Sequence, residues 1–563
     1  MIDLVPPGAI LVLGALGVPL LGGRVRQAYM LALPVLGFAQ VAMLPATFVW
    51  SIQMFGYDLT LVRVDELSRV FAYVFHIAAF LSVLYALHIK DNVQFVSGLV
   101  YAGAAIAALF VGDLISLFVC WELTAVASLF QIWARRTERA YRAGLRYLVM
   151  QVGSGVLLLA GTILHYADTG SLEFQALGLV STGTLLIFLA FGIKAAFPLL
   201  HGWLQDAYPE ATVTGTVFLS AFTTKLAIYA LARGFPGTEI LVPIGALMTA
   251  FPIFYAVIEN DLRRVLAYSL NNQLGFMVVG IGIGTEMSLN GTAAHAFAHV
   301  IYKGLLFMSM GAVLYRTGTI KGSELGGLYK SMPWTTTFCI IGAASISAFP
   351  LFSGFISKSL ILTAAAENHY TLTFLVLLFA SAGVFHHSGI KIPYFAFFAH
   401  DSGIRCEEAP RNMLIAMGCA AFLCIALGVA PGYLYELLPY PVEFDPYTTS
   451  HVVNQLQLLL FSAGAFVFLQ KTGLYPPELR SVNLDVDWLY RKALPALVQK
   501  VEGGTARLKG RLQAIGLAGV ERTIRYVRAH HAPSGVLGDP WSIGATALWA
   551  ALLLVAYLGM AYL

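Results

Sequence analysis

Sparse lysine, histidine and glutamate residues interrupt the long apolar stretches of this sequence. His295, His299 and Lys303 recur at every fourth position and therefore share one face of a predicted helix. Histidine titrates near neutral pH, and a lysine in a low-dielectric environment changes its protonation when a carboxylate approaches. A row of such groups suits proton relay. The candidate proton-translocating residues are Glu122, Lys194, Lys225, His295, His299, Lys303 and Lys358, together with Lys391 and His201.

Glu122 is the predicted partner that modulates the protonation of Lys194. An ionisable group inside an apolar segment is energetically expensive, and such groups are retained mainly where they have a function. A purely structural ion pair between Glu122 and Lys194 is the alternative interpretation.

Other candidates also have simpler interpretations. Lys391 lies near the predicted cytoplasmic end of its helix, where a lysine can snorkel to the membrane surface. His201 follows a helix break and can cap free backbone groups there. His295 and His299 at i, i+4 spacing can bind a metal, but no third ligand is evident, so we predict neither a metal nor a cofactor.

Membrane helices must position these residues. The chain has 563 residues, of which 58% are hydrophobic and 11% charged, and its mean hydropathy is +0.76. A soluble domain carries about a quarter charged residues, so the composition predicts a polytopic membrane protein, in contact with lipid and not with nucleic acid. The expected location is the bacterial inner membrane. The five cysteines form no CxxC pair and are interpreted as small apolar residues. The N-terminus lacks a basic leader, so no cleaved signal peptide is expected.

The hydrophobic runs predict an all-α fold with about 14–16 transmembrane helices. Basic loops alternate with acidic or neutral ones, which places both termini on the exterior side by the positive-inside rule. Residues 55–67 alternate apolar and polar side chains and predict a short surface hairpin. The predicted spans are 4–22, 29–52, 65–88, 94–111, 113–133, 145–166, 180–204, 211–234, 239–258, 265–284, 290–315, 335–366, 371–398, 411–432, 452–470 and 541–562.

An internal repeat relates two parts of the chain. "AFPLLHGW" at residues 196–203 reappears as "AFPLFSGF" at residues 348–355, and two shorter matches have nearly the same offset. Each predicted unit contains five spans, and an odd number inverts the second copy in the membrane. Both copies contain a proline-broken helix with a lysine close by, Lys194 or Lys358. Such a break is tolerated where it lines a hydrated cavity or is enclosed by protein.

The predicted organisation follows from these spans. Residues 491–528 carry nine Lys or Arg against two Glu and predict a basic amphipathic helix on the cytoplasmic face, either as an anchor or as a docking strut for a neighbouring subunit. The predicted parts are N-terminal helices (1–93), two inverted-repeat units that each form a proton half-channel (94–234 and 239–398), C-terminal core helices (411–470), the basic segment (471–540) and a final transmembrane helix (541–563).

Five motifs resemble one protein family, the antiporter-like subunits of respiratory complex I and of Mrp-type multisubunit cation/proton antiporters. The similarity is greatest to the D subunit of Mrp antiporters. The motifs are "WEL" (121–123), "KAAFPLLHGWLQDAYPEA" (194–211), "NDLRRVLAYSLNNQLGF" (260–276), "HAFAHVIYKGLLFMSMG" (295–311) and "FPLFSGFISKSLI" (349–361). The chain departs from the family pattern at Gln205, where proline is usual, and at residues 211–215.

The resemblance implies a 14-helix core with inverted five-helix repeats. It also implies a glutamate–lysine pair, a central lysine/histidine chain and a terminal lysine. These roles fall on Glu122, Lys194, Lys225, His299, Lys303 and Lys358, with His295.

The sequence therefore predicts a proton-translocating subunit of a multisubunit Na⁺/H⁺ antiporter, with other membrane subunits as partners and no enzymatic activity of its own. Two alternatives are a proton-pumping subunit of a redox complex, such as an NADH:quinone oxidoreductase or membrane hydrogenase, and the membrane subunit of an inorganic-carbon uptake system.

Overall fold

The computed structural model describes residues 5–54, 56–479, 483–533, 535, 537–538 and 540–562. Residue 4, where the first predicted span begins, lies outside the described residues. The chain divides into two units, Met1–Val486 and Asp487–Leu563.

The first unit is built from helices and one hairpin. In chain order its helices are α1 (Ala9–Ala15), α2 (Gly23–Met43), α3 (Glu66–Ala86), α4 (Asn92–Phe110), α5 (Leu114–Trp133), α6 (Glu138–Thr169), α7 (Thr182–Ala195), α8 (Gly202–Ala207), α9 (Gly215–Ala221), α10 (Thr223–Gly234), α11 (Leu241–Ile258), α12 (Leu262–Ile283), α13 (Glu286–Thr317), α14 (Pro333–Ile346), α15 (Ser353–Glu367), α16 (Thr371–Val384), α17 (Arg411–Val429), α18 (Gly432–Tyr435) and α19 (Thr449–Thr472). Two π-helical segments, Phe385–Lys391 and Tyr394–Phe398, continue α16.

The chain is an all-α polytopic membrane protein. Among the described residues, eleven helices are long and apolar enough to cross a membrane by length and composition. The remaining predicted spans fall on α1, on the broken pairs α7–α8 and α14–α15, and on α2 and α12, both of which carry arginines. These five segments are short, broken or interrupted by polar residues, so none of them is a continuous apolar helix of membrane-spanning length.

The predicted hairpin is confirmed, but it begins earlier than expected. Strand β1 (Val49–Met54) pairs with β2 (Tyr57–Arg63) in antiparallel register, with Val49 opposite Arg63. The predicted second span, 29–52, is therefore wrong at its end, because α2 stops at Met43. Leu44 is extended and precedes Pro45, and a residue before proline disfavours the helical conformation.

The repeat is visible as local backbone structure. Ala196 and Leu199 have positive φ (62° and 70°), and Ala348 and Leu351 have nearly the same values (57° and 73°) at the matching motif positions. Positive φ is uncommon for residues other than glycine, so both breaks follow the same unusual path. Short antiparallel bridges also recur, at Asp113–Glu173 and Asp261–Lys321. Five helical passes, α5 to α11 with α7–α8 and α9–α10 each counted once, separate Asp113 from Asp261, so the second copy runs inverted.

Helix α13 lies at the centre of the first unit. It packs against α3, α12, α14, α15 and α17, and its residues from Asn290 to Val313 are all buried. The candidate residues His295, His299 and Lys303 therefore lie on one of the most enclosed helices of the described chain.

The second unit contains two helices, α20 (Leu494–His531) and α21 (Ile543–Tyr562). Helix α20 covers most of the predicted basic amphipathic segment and is preceded by a π-helical turn, Leu489–Ala493. Helix α21 has the length and composition of a membrane span.

Candidate functional site

Lys194 is fully buried in the last turn of α7, directly before the first helix break. Its Nζ donates hydrogen bonds to the carbonyl oxygen of Trp121 (2.6 Å) and to Thr124 Oγ1 (3.0 Å). The same ammonium lies 4.3 Å from the centroid of the Trp121 ring, a cation–π contact. Trp121 is itself held in place, because its Nε1 donates to Ser154 Oγ (2.9 Å).

Glu122 lies next to this site without a direct ion pair to Lys194. In the described part of the chain, its buried Oε1 has no hydrogen-bond partner. The carboxyl group lies against Gly155 of α6, in space that a Cβ on that residue would occupy. The backbone carbonyl of Trp121, rather than the expected carboxylate, holds the ammonium of Lys194. Glu122 is thus a nearby carboxyl group that no hydrogen bond of its Oε1 ties to a protein partner in the described residues.

Lys225 lies at a helix interruption that the sequence analysis missed. The predicted span 211–234 is divided into α9 and α10 at Phe222, whose φ and ψ are −101° and −65°. The buried Nζ of Lys225 donates to the carbonyl oxygen of Ser220 (2.5 Å). The hydroxyl of Tyr101 accepts the amide N–H of Thr223 (2.9 Å) beside the interruption. Neither proline nor glycine marks Phe222, so the sequence carries no simple signal for this break.

The three candidates on α13 form a partly connected row. His295 Nδ1 is 2.9 Å from Ser357 Oγ, and its ring centroid is 6.1 Å from that of His299. Lys303 Nζ donates to Ser269 Oγ of α12 (2.8 Å). Within the described residues neither ring nitrogen of His299 has a protein partner.

Lys358 repeats the arrangement of Lys194 in the second half of the chain. It is buried in α15, and its Nζ donates to the carbonyl oxygen of Ile346 (2.8 Å), the last residue of α14 before the second break. The ammonium lies 5.2 Å from the ring centroid of Phe276. In both halves, the ammonium group of a buried lysine donates to a main-chain carbonyl and lies near an aromatic ring.

The capping interpretation of His201 is wrong. His201 precedes α8 but makes no side-chain capping bond. Its Nε2 is 3.2 Å from Asp485 Oδ1, and the Tyr268 hydroxyl donates to Asp485 Oδ2 (2.6 Å). Burial opposes the charge of Asp485, but the hydrogen bonds from His201, Tyr268 and the Val486 amide outweigh it and lower the pKa of this carboxyl below its usual value. The sequence analysis did not identify Asp485.

The snorkelling interpretation of Lys391 is also wrong. Its side chain is fully buried, and its Nζ forms an ion pair with Glu478 (2.8 Å). It also donates to the carbonyl oxygens of Ala256, Val257 and Glu259 at the C-terminal end of α11, where a positive charge is favoured. Glu478, which follows α19, was likewise not identified from the sequence.

Sequence relatives share the central part of the chain. Residues 111–385 match the family described as NADH:quinone oxidoreductase/Mrp antiporter, TM. The D subunit of the Na(+)/H(+) antiporter of Alkalihalophilus pseudofirmus is 30% identical over 366 residues, which cover 60% of this chain and 73% of that protein. Hydrogenase-4 component B of Escherichia coli K12 is 28% identical over 427 residues, and the alignment covers 67% of this chain and only 63% of that relative.

A solved structure shares the fold over nearly the whole chain. It belongs to the membrane-bound sulfane sulfur reductase, an archaeal respiratory membrane complex, and matches with a TM-score of 0.72 at 24% identity. The match covers 99% of this chain and 100% of that one.

Proposed function

We infer the function of this chain from its family, because it belongs to the NADH:quinone oxidoreductase/Mrp antiporter family of membrane subunits. We propose that this chain is the proton-translocating subunit of a multisubunit cation/proton antiporter in the bacterial inner membrane. Other membrane subunits are its partners, and Na⁺ is the exchanged cation of the complex. The main support for this proposal is that Lys194 and Lys358 are buried at matching helix breaks. The row on α13 lies between them in the sequence.

The contacts of the two lysines support a mechanism. Residues 94–234 and 239–398 each supply a half-channel to the membrane interior, and the groups on α13 join the two. Lys194 binds to a neutral carbonyl and to an aromatic face, so it can lose a proton without leaving an unpaired carboxylate behind. Approach of Glu122 stabilises the protonated lysine, and its withdrawal favours release of the proton toward Lys225 and the row on α13.

A redox-driven proton pump is the second candidate. The 28% sequence identity to Hydrogenase-4 component B and the fold shared with a subunit of a respiratory complex favour this candidate. In that case the partner subunits supply the redox chemistry, and this subunit moves protons through the same residues. The chains that co-purify with the complex from native membranes distinguish the two assemblies.

The proposed activity is tested with the whole complex in liposomes. After a Na⁺ pulse, or on addition of the reductant of a redox complex, a pH-sensitive dye reports proton movement. We expect Lys194→Ala and Lys358→Ala to reduce proton movement to the level of empty liposomes. Lys330→Ala is the matched control, since Lys330 is half exposed and pairs with Asp401 on the surface. Undiminished proton movement in both site variants would contradict the proposal.

A further inference from the structure

A chain of hydrogen bonds connects Lys303, the last member of the row on α13, with side chains on other helical segments. Lys303 Nζ donates to Ser269 Oγ (2.8 Å), and the Ser388 hydroxyl also donates to Ser269 Oγ (2.7 Å). His387 Nδ1 is 2.9 Å from Ser388 Oγ. All four residues are buried. The chain therefore connects α13, across α12, with the segment that follows α16.

A π-helical segment places the two outer members of this chain. His387 and Ser388 lie within Phe385–Lys391, where both are buried together with Lys391. The wider π turn is rare and occurs frequently at functional sites. Gly389 allows close packing at this point, since a Cβ there would overlap with Ser347 and Phe385.

His387 has one ring nitrogen in the chain and one outside it. Because Ser388 donates its hydroxyl proton to Ser269, His387 Nδ1 is the donor to Ser388 Oγ. Among the described residues Nε2 of His387 has no protein partner although it is buried. The charges that act on this imidazole are those of Lys303, His386, Lys391 and Lys358. Lys391, the partner of Glu478, lies four residues after His387 in the same π-helical segment.

We propose that His387, Ser388 and Ser269 form a proton-conducting branch between Lys303 and the Lys391–Glu478 pair on the predicted cytoplasmic side. This inference rests on the proposed function and adds a second connection to the row on α13.

The transfer along the branch conserves protons at every step. Nε2 of His387 gains one proton from the ammonium of Lys391, which becomes a neutral amine, and the N–H bond at Nδ1 of His387 breaks as its proton moves to Ser388 Oγ. Each serine hydroxyl gains one proton and gives up another, and a neutral Lys303 amine accepts the last one. Hydroxyl groups rotate freely between donor and acceptor orientations, so the same chain also runs in the opposite direction.

The neighbouring histidine provides a matched control. The ring of His386 packs against Phe466 and Tyr475, with centroids 5.3 Å and 5.4 Å away, rather than against Ser388. It is one residue from His387 and has the same chemistry, but no hydrogen bond connects it to Lys303 in the described chain.

The experiment measures proton movement by the whole complex in liposomes. His387→Asn keeps a donor near the position of Nδ1 but cannot titrate, and Ser388→Ala cuts the chain. We expect each to slow proton movement at least about tenfold. His386→Asn and Ser388→Thr, which retains the hydroxyl, should stay within about twofold of the wild type.

Three outcomes are distinguished by including Lys358→Ala. If His387→Asn and Ser388→Ala are as fast as the wild type while Lys358→Ala is inactive, the branch is refuted and the proposed function stands. If Lys358→Ala is fully active as well, the proposed function itself fails. If His387→Asn does not assemble, the difference between Ser388→Ala and Ser388→Thr decides, because equal rates refute the branch.

Discussion

At the scale of single residues, the buried lysines share one kind of partner. Lys225 and Lys358 each donate to a main-chain carbonyl at the end of an interrupted or broken helix, whereas Lys194, which itself precedes a break, donates to the carbonyl of Trp121 within α5. An unpaired ammonium in a membrane interior is expensive, and carbonyls at interrupted helices are available because helical hydrogen bonds are missing there. At Lys225 and Lys358 the lysine and the break are therefore complementary features, because the break frees the carbonyl that the ammonium group needs.

Glu122 offers a test at the same scale. We expect Gly155→Ala to slow proton movement about tenfold with little loss of stability, because the new Cβ displaces the flexible carboxyl group of Glu122 rather than the backbone. Gly153→Ala is the control, since a Cβ at Gly153 meets no other atom. Proton flux and thermal unfolding of the two variants are compared, and equal flux would show that the position of Glu122 is unimportant.

At the scale of elements, the two repeated breaks were predictable and the other irregularities were not. "AFPL" carries a proline in both copies, so the sequence marks α7–α8 and α14–α15 directly. The interruption at Phe222 has no comparable residue signal, and the π-helical Phe385–Lys391 is marked only by Gly389 within it and Pro393 just after it, neither of which predicts a π-helix. Their backbone paths depend on partners from other helices, such as Tyr101 at Thr223, which local periodicity does not encode.

The left-handed residues of the breaks give a stability prediction. Leu199 has φ 70° and a side chain that is 69% exposed, so its replacement changes few contacts. Leu199→Val should be less stable than Leu199→Gly by about 1–2 kcal/mol, because a β-branched residue is strained at positive φ and glycine is not. Thermal unfolding of the purified complex measures the difference. Equal Tm values would contradict the strained conformation at Leu199.

At the scale of the whole first unit, one segment after α19 brings carboxylates to both halves of the repeat. Glu478 pairs with Lys391, and Asp485 contacts His201 and Tyr268. The sequence predicted both basic residues as candidates but neither carboxylate. Asp485 lies in a loop, 284 positions after His201. Helical periodicity relates only residues that are close in sequence, so these pairs become visible only in the folded chain.

Acid should weaken the contacts that Asp485 makes from the segment after α19. The pKa of Asp485 is lowered in the fold, so its contribution to docking is present at neutral pH and is lost as the pH falls below about 4. We expect Asp485→Asn to speed proteolytic cleavage within residues 473–479 and 483–486 at neutral pH, and the wild type to show similar cleavage only in acid. Asp487→Asn is the control, because Asp487 pairs with Arg491 within the second unit. Unchanged cleavage of Asp485→Asn would rule out this docking role.

The most direct test of proton conduction through the centre of α13 is the proton flux of His299→Leu in the assembled complex. His299 has no protein partner on either ring nitrogen among the described residues, so leucine removes a titratable group without breaking a hydrogen bond between protein groups. We predict an intact complex whose proton flux equals that of empty liposomes. A flux equal to that of the wild type would contradict proton conduction through this row.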